Sequence, residues 1–327
     1  RAMNLLKKIR GLSRPVRQLG VLVIVFAAAM ATAQGMDSEW TRWLSKHRWP
    51  SLVEFMGRSL FEAEGFGGGD PVVIYILAAL GGYYLAWKRP EHRLHRLRPQ
   101  FGFVVFSAAI WAFGLVHALK WSIGRARPPE VLRHGVPFSD WYALGPHFVT
   151  EGIYRGSFPS GHTAQAAVMF TLAYVLAGIG SDRPSLRLSA WVWAGLCLCY
   201  TSVMGIARCM SLSHWLTDVI AGLFLIWIGI HVSYHWILRV PEQTSFFRRT
   251  GRWPEGPAAW ELRLSLWAVA ALAGAAAAVL GARAWFLSDP AVLGLLLPAG
   301  AAAAVVSLYR AGLLRRRALG EMDRPPT

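Results

Sequence analysis

The stretch WLTDVIAGLFLIWIGIHVSYHW, residues Trp215 to Trp236, decides how the rest of the chain is read. Apart from Asp218 near its start it holds no carboxylate, lysine or arginine, and it lacks the alternation of a half-buried strand. At 1.5 Å per residue, about 20 apolar residues wound as a helix cross the hydrocarbon core of a bilayer. This stretch is long enough, and its neighbours repeat the pattern. Before it lie Gly20 to Ala33, Pro71 to Trp87, Gly102 to Leu119, Thr163 to Ile179 and Ser189 to Ala207; after it come Leu264 to Phe286 and Pro290 to Tyr309. With 54% hydrophobic and 16% charged residues over 327 positions, the chain is too apolar for an ordinary soluble domain. The expected fold is all-α, a polytopic membrane helical bundle.

The formal charge of +16 is distributed between the spans and forms no single patch, which argues against nucleic acid as a partner and for membrane topology. Of the 34 Lys and Arg, 22 fall in one set of alternate segments and ten in the other, with Arg1 and Arg283 set aside. Positive residues are retained on the cytoplasmic side, so both termini are expected there. The first apolar run is read as an uncleaved helix, although Ala31-Thr32-Ala33 resembles a signal-peptidase site. Arg1-Ala2 precede Met3 and read as a cloning remnant. The expected organisation is a cytoplasmic segment over 1–18, a six-helix core over 19–238, a cytoplasmic linker over 239–263, two additional spans over 264–309 and a basic cytoplasmic tail over 310–327.

Between the first two spans, residues 37–64 interleave Trp40, Trp43, Leu44, Trp49, Leu52, Val53, Phe55, Met56, Leu60 and Phe61 with charges at roughly helical spacing. A helix lying in the bilayer interface and a lid packed over the spans are equally consistent with this pattern. Cys197, Cys199 and Cys209 give no paired framework, so no disulfide is expected. His231 and His235 have i,i+4 spacing, but Glu242 is the sole carboxylate close by in sequence. They read as interfacial residues at a helix end, because a four-ligand set is not in sight.

Three segments carry the chemistry, each at the same end of a span: Lys120-Trp-Ser-Ile-Gly-Arg-Ala-Arg127-Pro128, Pro159-Ser160-Gly161-His162, and Arg208-Cys-Met-Ser-Leu-Ser-His214-Trp-Leu-Thr-Asp218. Ionisable groups are expensive there unless they have a partner or a task. His214 and Asp218 stand four residues apart at the start of a helix, so the carboxylate can orient the ring for nucleophilic attack. Alone, the pair reads equally well as a structural hydrogen bond. Ser160 and the Gly161 N–H, at a helix start, suit an anion, and His162 beside it suits a general acid. Alone, that segment reads better as an ordinary helix cap. Lys120 and Arg127 share a face if the helix continues past Lys120, and two fixed cations suit a phosphoryl group, though either residue alone reads better as a headgroup contact or a snorkelling side chain. Arg125 reads as a surface residue that meets headgroups or snorkels.

The joint pattern resembles the type 2 phosphatidic acid phosphatase superfamily. Its motifs are a Lys, six residues and Arg-Pro; Pro-Ser-Gly-His; and Ser-Arg, five residues, His, three residues, Asp. Lys120 to Pro128, Pro159 to His162 and Arg208 to Asp218 match, except that Ala207 stands where the family usually has Ser. The resemblance runs from the first span to about Trp236 and leaves the last two spans unexplained. Their Ala/Gly-rich faces suggest close helix packing or contact between copies of the chain.

The resemblance implies an integral membrane phosphatase acting on a lipid phosphomonoester or diphosphate at the periplasmic face of a bacterial-type inner membrane. Undecaprenyl diphosphate, lipid A, phosphatidylglycerol phosphate and phosphatidic acid are the candidate substrates. It implies His214 as nucleophile, His162 as general acid and Asp218 as the group orienting His214. Lys120, Arg127, Arg208, Ser160 and Gly161 would bind phosphate, with no metal and no cofactor. The segment Pro129 to Phe158, with Arg133, His134, His147 and Arg155, is expected to shape the headgroup pocket. The alternatives are a lipid phosphotransferase using the same phosphohistidine, and a non-catalytic lipid-binding or transport protein.

Overall fold

The computed structural model describes residues 12–60, 64–148, 156–180, 183–287 and 291–323. Among these the chain is helical, with no strand. The helices are numbered in chain order: α1 Arg14–Gln34, α2 Asp37–Lys46, α3 Pro50–Gly57, α4 Asp70–Lys88, α5 over 98–123, α6 Pro128–His134, α7 Gly161–Ala167 and α8 Phe170–Ile179. They continue with α9 Pro184–Met210, α10 Leu216–Val232, α11 Val240–Thr250, α12 Trp260–Leu287, α13 Ala291–Gly294 and α14 Leu296–Leu319. Eight helical stretches among the described residues are long and apolar enough to cross a membrane. The chain is an all-α polytopic membrane protein.

The centre of the bundle is formed where α5, α8 and α10 meet. Phe103, Phe106, Phe170, Ile226 and Ile230 are buried there, and Phe170 stacks on Trp227 with ring centroids 4.4 Å apart. α5 contains a π-helical stretch, Ala108–Leu115, before it resumes as an α-helix over Val116–Ile123. Small residues set the approach of its neighbours. A Cβ on Gly229 would stand 2.3 Å from the ring of Trp111, and one on Gly222 would stand 2.7 Å from the Ser160 carbonyl. The outer faces of α1 and α9 instead expose Val21, Ile24, Leu188 and Trp191, as a lipid-facing surface requires.

The single amphipathic helix expected over 37–64 is two helices, α2 and α3, separated at residues 47–49 where Pro50 starts a new first turn. Both pack on α9 through Thr41, Leu44, Val53 and Met56 while Trp40, Trp43 and Trp49 face outward. The arrangement is a cover over one end of the spans with an aromatic outer face. At the other end of the bundle, His231 uses both ring nitrogens structurally: Nδ1 lies 2.9 Å from the Tyr174 hydroxyl and Nε2 2.9 Å from the Pro15 carbonyl.

α12 and α14 form a tight antiparallel pair. Gly274, Gly281 and Gly300 sit so close to the opposing backbone that any Cβ would come within 2.8 Å of it. The glycine faces thus pack these helices on each other, while Ala273, Ala275, Ala299, Ala301, Ala302 and Ala303 stay exposed. The pair docks on α5, where a Cβ on Gly114 would meet Leu272 at 3.0 Å.

Candidate active site

The three polar segments converge at the end of the bundle covered by α2 and α3. Lys120 lies on the last turns of α5, buried, with Nζ donating to the carbonyls of Gly156 at 2.9 Å and Ser157 at 3.3 Å. An ammonium has three donors, so one is left for an anion. The helix does not run on to Arg127, as a shared helical face would require. Gly124 takes the left-handed conformation at φ 63° and ends α5, and Arg127 sits at the N-cap of α6, just before Pro128. The turn nevertheless leaves Lys120 and Arg127 close enough to interact, and both lie within electrostatic reach of His214.

Ser160 caps α7. Its hydroxyl accepts from Thr163 Oγ1 at 2.9 Å, and its own N–H donates to the Asp218 carbonyl at 2.9 Å, which fastens the second segment to the third. Gly161 starts the helix, and a Cβ placed on it would stand 4.0 Å from Lys120 Cε. His162, one residue on, lies in the field of Arg208, Lys120 and Arg127 and beside His214. Arg208 occupies the last turn of α9 and reaches past the end of α3, where its guanidinium lies 3.7 Å from the position a Cβ on Gly57 would take. Ala207 is buried in an apolar cluster with Met56, Ala166 and Met204, so the space of the missing hydroxyl is filled by packing.

His214 lies in the turn between α9 and α10 and is 4% exposed. Its Nδ1 stands 3.5 Å from Asp218 Oδ2, longer than a closed hydrogen bond. The Asp218 carboxylate is held by other donors. Oδ2 accepts from the Trp215 N–H at 2.9 Å, and Oδ1 accepts from Arg125 Nη1 at 2.7 Å.

Arg125 is therefore no snorkelling surface residue. It is 1% exposed, lies against the rings of both Phe138 and Trp215, and bridges two carboxylates, with Nη2 2.7 Å from Asp37 Oδ2. Asp37, at the start of α2, also accepts from the Thr217 N–H at 2.9 Å and the Thr217 hydroxyl at 2.5 Å. That hydroxyl in turn accepts from Arg125 Nη1 at 2.8 Å. Burial pushes the Asp37 carboxyl above its ordinary value, reinforced by the like charge of Asp218 and opposed by Arg125. Trp215 completes the frame, donating Nε1–H to the Ala126 carbonyl at 2.8 Å. Asp37, Arg125, Trp215 and Thr217 are the residues the sequence reading missed. The available signal was the position of Arg125 and Trp215 inside the motifs; nothing in the sequence pairs Asp37 with either.

Burial holds the imidazole of His214 down at about 4, with Lys120 and Arg127 adding to the effect and Asp218 opposing it. The ring is neutral at pH 7, as a nucleophile must be. A neutral histidine among fixed cations can accept a phosphoryl group whose equatorial oxygens those cations neutralise. Of the residues expected to shape a headgroup pocket, His147 is instead bonded to Glu130 at 2.9 Å and buried, Arg133 and His134 are exposed, and Arg155 lies outside the described residues.

Residues 100–242 match the family model described as PAP2 superfamily, a segment that begins in α5 and ends in α11. Over 112 residues the chain is 31% identical to the lipid A 1-phosphatase of Porphyromonas gingivalis, which takes in 33% of this chain and 18% of that protein. The chain thus spans well under two thirds of that relative's length. No solved structure matches. All three motifs fall within the matched segment and meet at one end of the bundle, so what the chain shares with the PAP2, or type 2 phosphatidic acid phosphatase, superfamily is this segment and its three motifs.

Proposed function

We propose that this protein hydrolyses a phosphomonoester or diphosphate of a membrane lipid through a phosphohistidine at His214. The observation that carries this reading is the placement of the neutral, buried His214 beside Lys120, Arg127 and His162 at a covered end of the bundle. The His214 nitrogen facing away from Asp218 attacks the terminal phosphorus as its bond to the leaving oxygen breaks, the lipid oxygen of a monoester or the bridging oxygen of a diphosphate. His162 gives its proton to that leaving oxygen. Asp218 draws in on the Nδ1–H of the cationic phosphohistidine, closing the 3.5 Å gap as charge develops. Water, relieved of a proton by His162, then attacks phosphorus and returns both histidines to their starting state as inorganic phosphate leaves.

Lys120, Arg127 and Arg208, with Ser160 and the Gly161 N–H, bind the phosphoryl oxygens. Three cations supply the charge stabilisation that a metal ion gives in other phosphoryl-transfer sites, so the reaction runs without one. The excess of Lys and Arg in the alternate segments supports reading this end of the bundle as the outer, periplasmic side of an inner membrane, with both termini in the cytoplasm. The similarity to a lipid A 1-phosphatase puts lipid A phosphates first among the candidate substrates, ahead of undecaprenyl diphosphate, phosphatidylglycerol phosphate and phosphatidic acid.

The test is release of inorganic phosphate from each of these lipids by the purified protein in EDTA. Release from at least one of them, blocked by orthovanadate, supports the reading. Absence of release from all four overturns it.

A further inference from the structure

The segment matched to the family ends at residue 242, yet the helix pair beyond it reaches back to the turn that carries Lys120 and Arg127, with one charged residue at the contact. Arg283 is the sole charged residue in the run Leu264 to Phe286. An arginine within a membrane span is costly and calls for a partner, and near a helix end it would ordinarily snorkel outward. Trp285 and Phe286, next along α12, do face outward, Trp285 being 72% exposed. Arg283 is 5% exposed and turned into the protein.

Its guanidinium fork divides between two backbone segments. Nη1 donates to the carbonyls of Ser122 at 2.8 Å and Ile123 at 3.2 Å, and Nη2 to those of Gly145 at 2.9 Å and His147 at 3.2 Å. The first two are carbonyls at the C-terminal end of α5, which lack intrahelical partners and carry the negative end of the helix dipole. The second two belong to the loop that packs on that end. Gly145 N–H donates to the Ile123 carbonyl at 2.7 Å, and His147 N–H to the Gly124 carbonyl at 3.1 Å. From that loop His147 Nε2 meets Glu130 Oε2 at 2.9 Å, and the same oxygen accepts the Arg127 N–H at 2.7 Å. Lys120 stands two residues before the first clamped carbonyl. Both ends of the Lys120 to Arg127 turn are thus fixed to a loop held by Arg283. Phe148, Leu280 and Ala284 form a buried apolar cluster with Trp121 beside the clamp.

We infer that Arg283 is a positioning residue for phosphate binding, and that the C-terminal helix pair buttresses the site by setting the separation of Lys120 and Arg127. The inference rests on the reading of those two cations as phosphate ligands. A lysine at 283 can reach part of this carbonyl set but cannot fork across both segments. A methionine leaves all four carbonyls without the guanidinium.

The experiment uses the full-length protein with Arg283→Met and Arg283→Lys. It reads KM for the lipid phosphate, turnover per folded molecule, and orthovanadate affinity by calorimetry. Displacement of a phosphate ligand predicts a rise in KM and in the vanadate dissociation constant, together, on the order of tenfold to a hundredfold in Arg283→Met. Arg283→Lys is expected between that variant and the wild type. A purely structural arginine would lower the yield of folded protein and leave both constants unchanged. Unchanged constants in Arg283→Met overturn the inference, and where that variant does not fold, unchanged constants in Arg283→Lys do so. A wild-type protein that binds no orthovanadate overturns the phosphatase reading instead, and the role of Arg283 with it.

Discussion

Arg125 Nη1 lies 2.7 Å from Asp218 Oδ1, and this fully buried pair is what holds the carboxylate beneath His214. The same guanidinium binds Asp37 on the covering helix α2, so one arginine neutralises two acids. Replacing it leaves two carboxylates facing each other out of water. Breaking a buried pair of this kind costs about 3–5 kcal/mol. Arg125→Met is expected to lower the thermal unfolding midpoint and to abolish phosphate release. Release at the wild-type rate from a folded Arg125→Met protein would show that Asp218 does not depend on it.

Asp37 acts at one remove. Asp37→Asn keeps the size of the side chain and an acceptor for Thr217, but takes away one of the two charges that fix Arg125. Turnover should fall on the order of tenfold, the loss of one charge-assisted hydrogen bond of about 1.5–3 kcal/mol being partly compensated by Asp218. KM for the lipid should hold, because the contacts of Asp37 run to Arg125 and Thr217 and reach Asp218 through them. Steady-state kinetics on the purified variant separate the two constants.

The depressed value of His214 fixes a pH dependence. With the ring held down at about 4, phosphoenzyme formation should stay on its plateau through pH 6.5, where an ordinary histidine is half charged, and its His214 limb should have a midpoint near 4. Lys120→Met removes a cation that disfavours the charged ring, so the midpoint should move upward. Stability follows the same sign. Between about 4 and 6.5 the unfolded chain binds a proton at His214 that the folded protein does not, so stability falls as pH falls through that window, by up to roughly 1.4 kcal/mol per pH unit. Rapid-quench phosphorylation across pH reads the first effect, and thermal unfolding of wild type against His214→Gln reads the second.

Gly222 is required by proximity. A Cβ there would come 2.7 Å from the Ser160 carbonyl and 3.2 Å from Thr163 Cβ, so α10 would be pushed off the start of α7. Gly222→Val should cost about 1–3 kcal/mol by overpacking and should cut phosphate release more than Gly195→Val, whose site meets nothing within 4 Å. Equal activity in the two variants would show that the Ser160 to Asp218 contact tolerates displacement.

The span pattern was legible because each run meets the length of the hydrocarbon core on its own, and the eight apolar runs of the sequence all appear as helices. The motif residues were legible because three separate spacings pointed to one chemistry. What the sequence did not disclose was long-range pairing of charge. Asp37 precedes Arg125 by 88 residues, and Arg283 follows Gly145 by 138. No periodicity links such pairs, and an arginine near a helix end looks the same in sequence whether it turns outward or inward. The break between α2 and α3 was marked by Pro50, which an amphipathic spacing spread over both helices concealed.

The most direct test of the account is rapid-quench phosphorylation of the purified protein with a radiolabelled lipid phosphate in EDTA, with the label located by mass spectrometry. The expected result is an acid-labile, base-stable phosphohistidine at His214, absent in His214→Ala. It is contradicted by label on any other residue, or by an undiminished rate of phosphate release from His214→Ala.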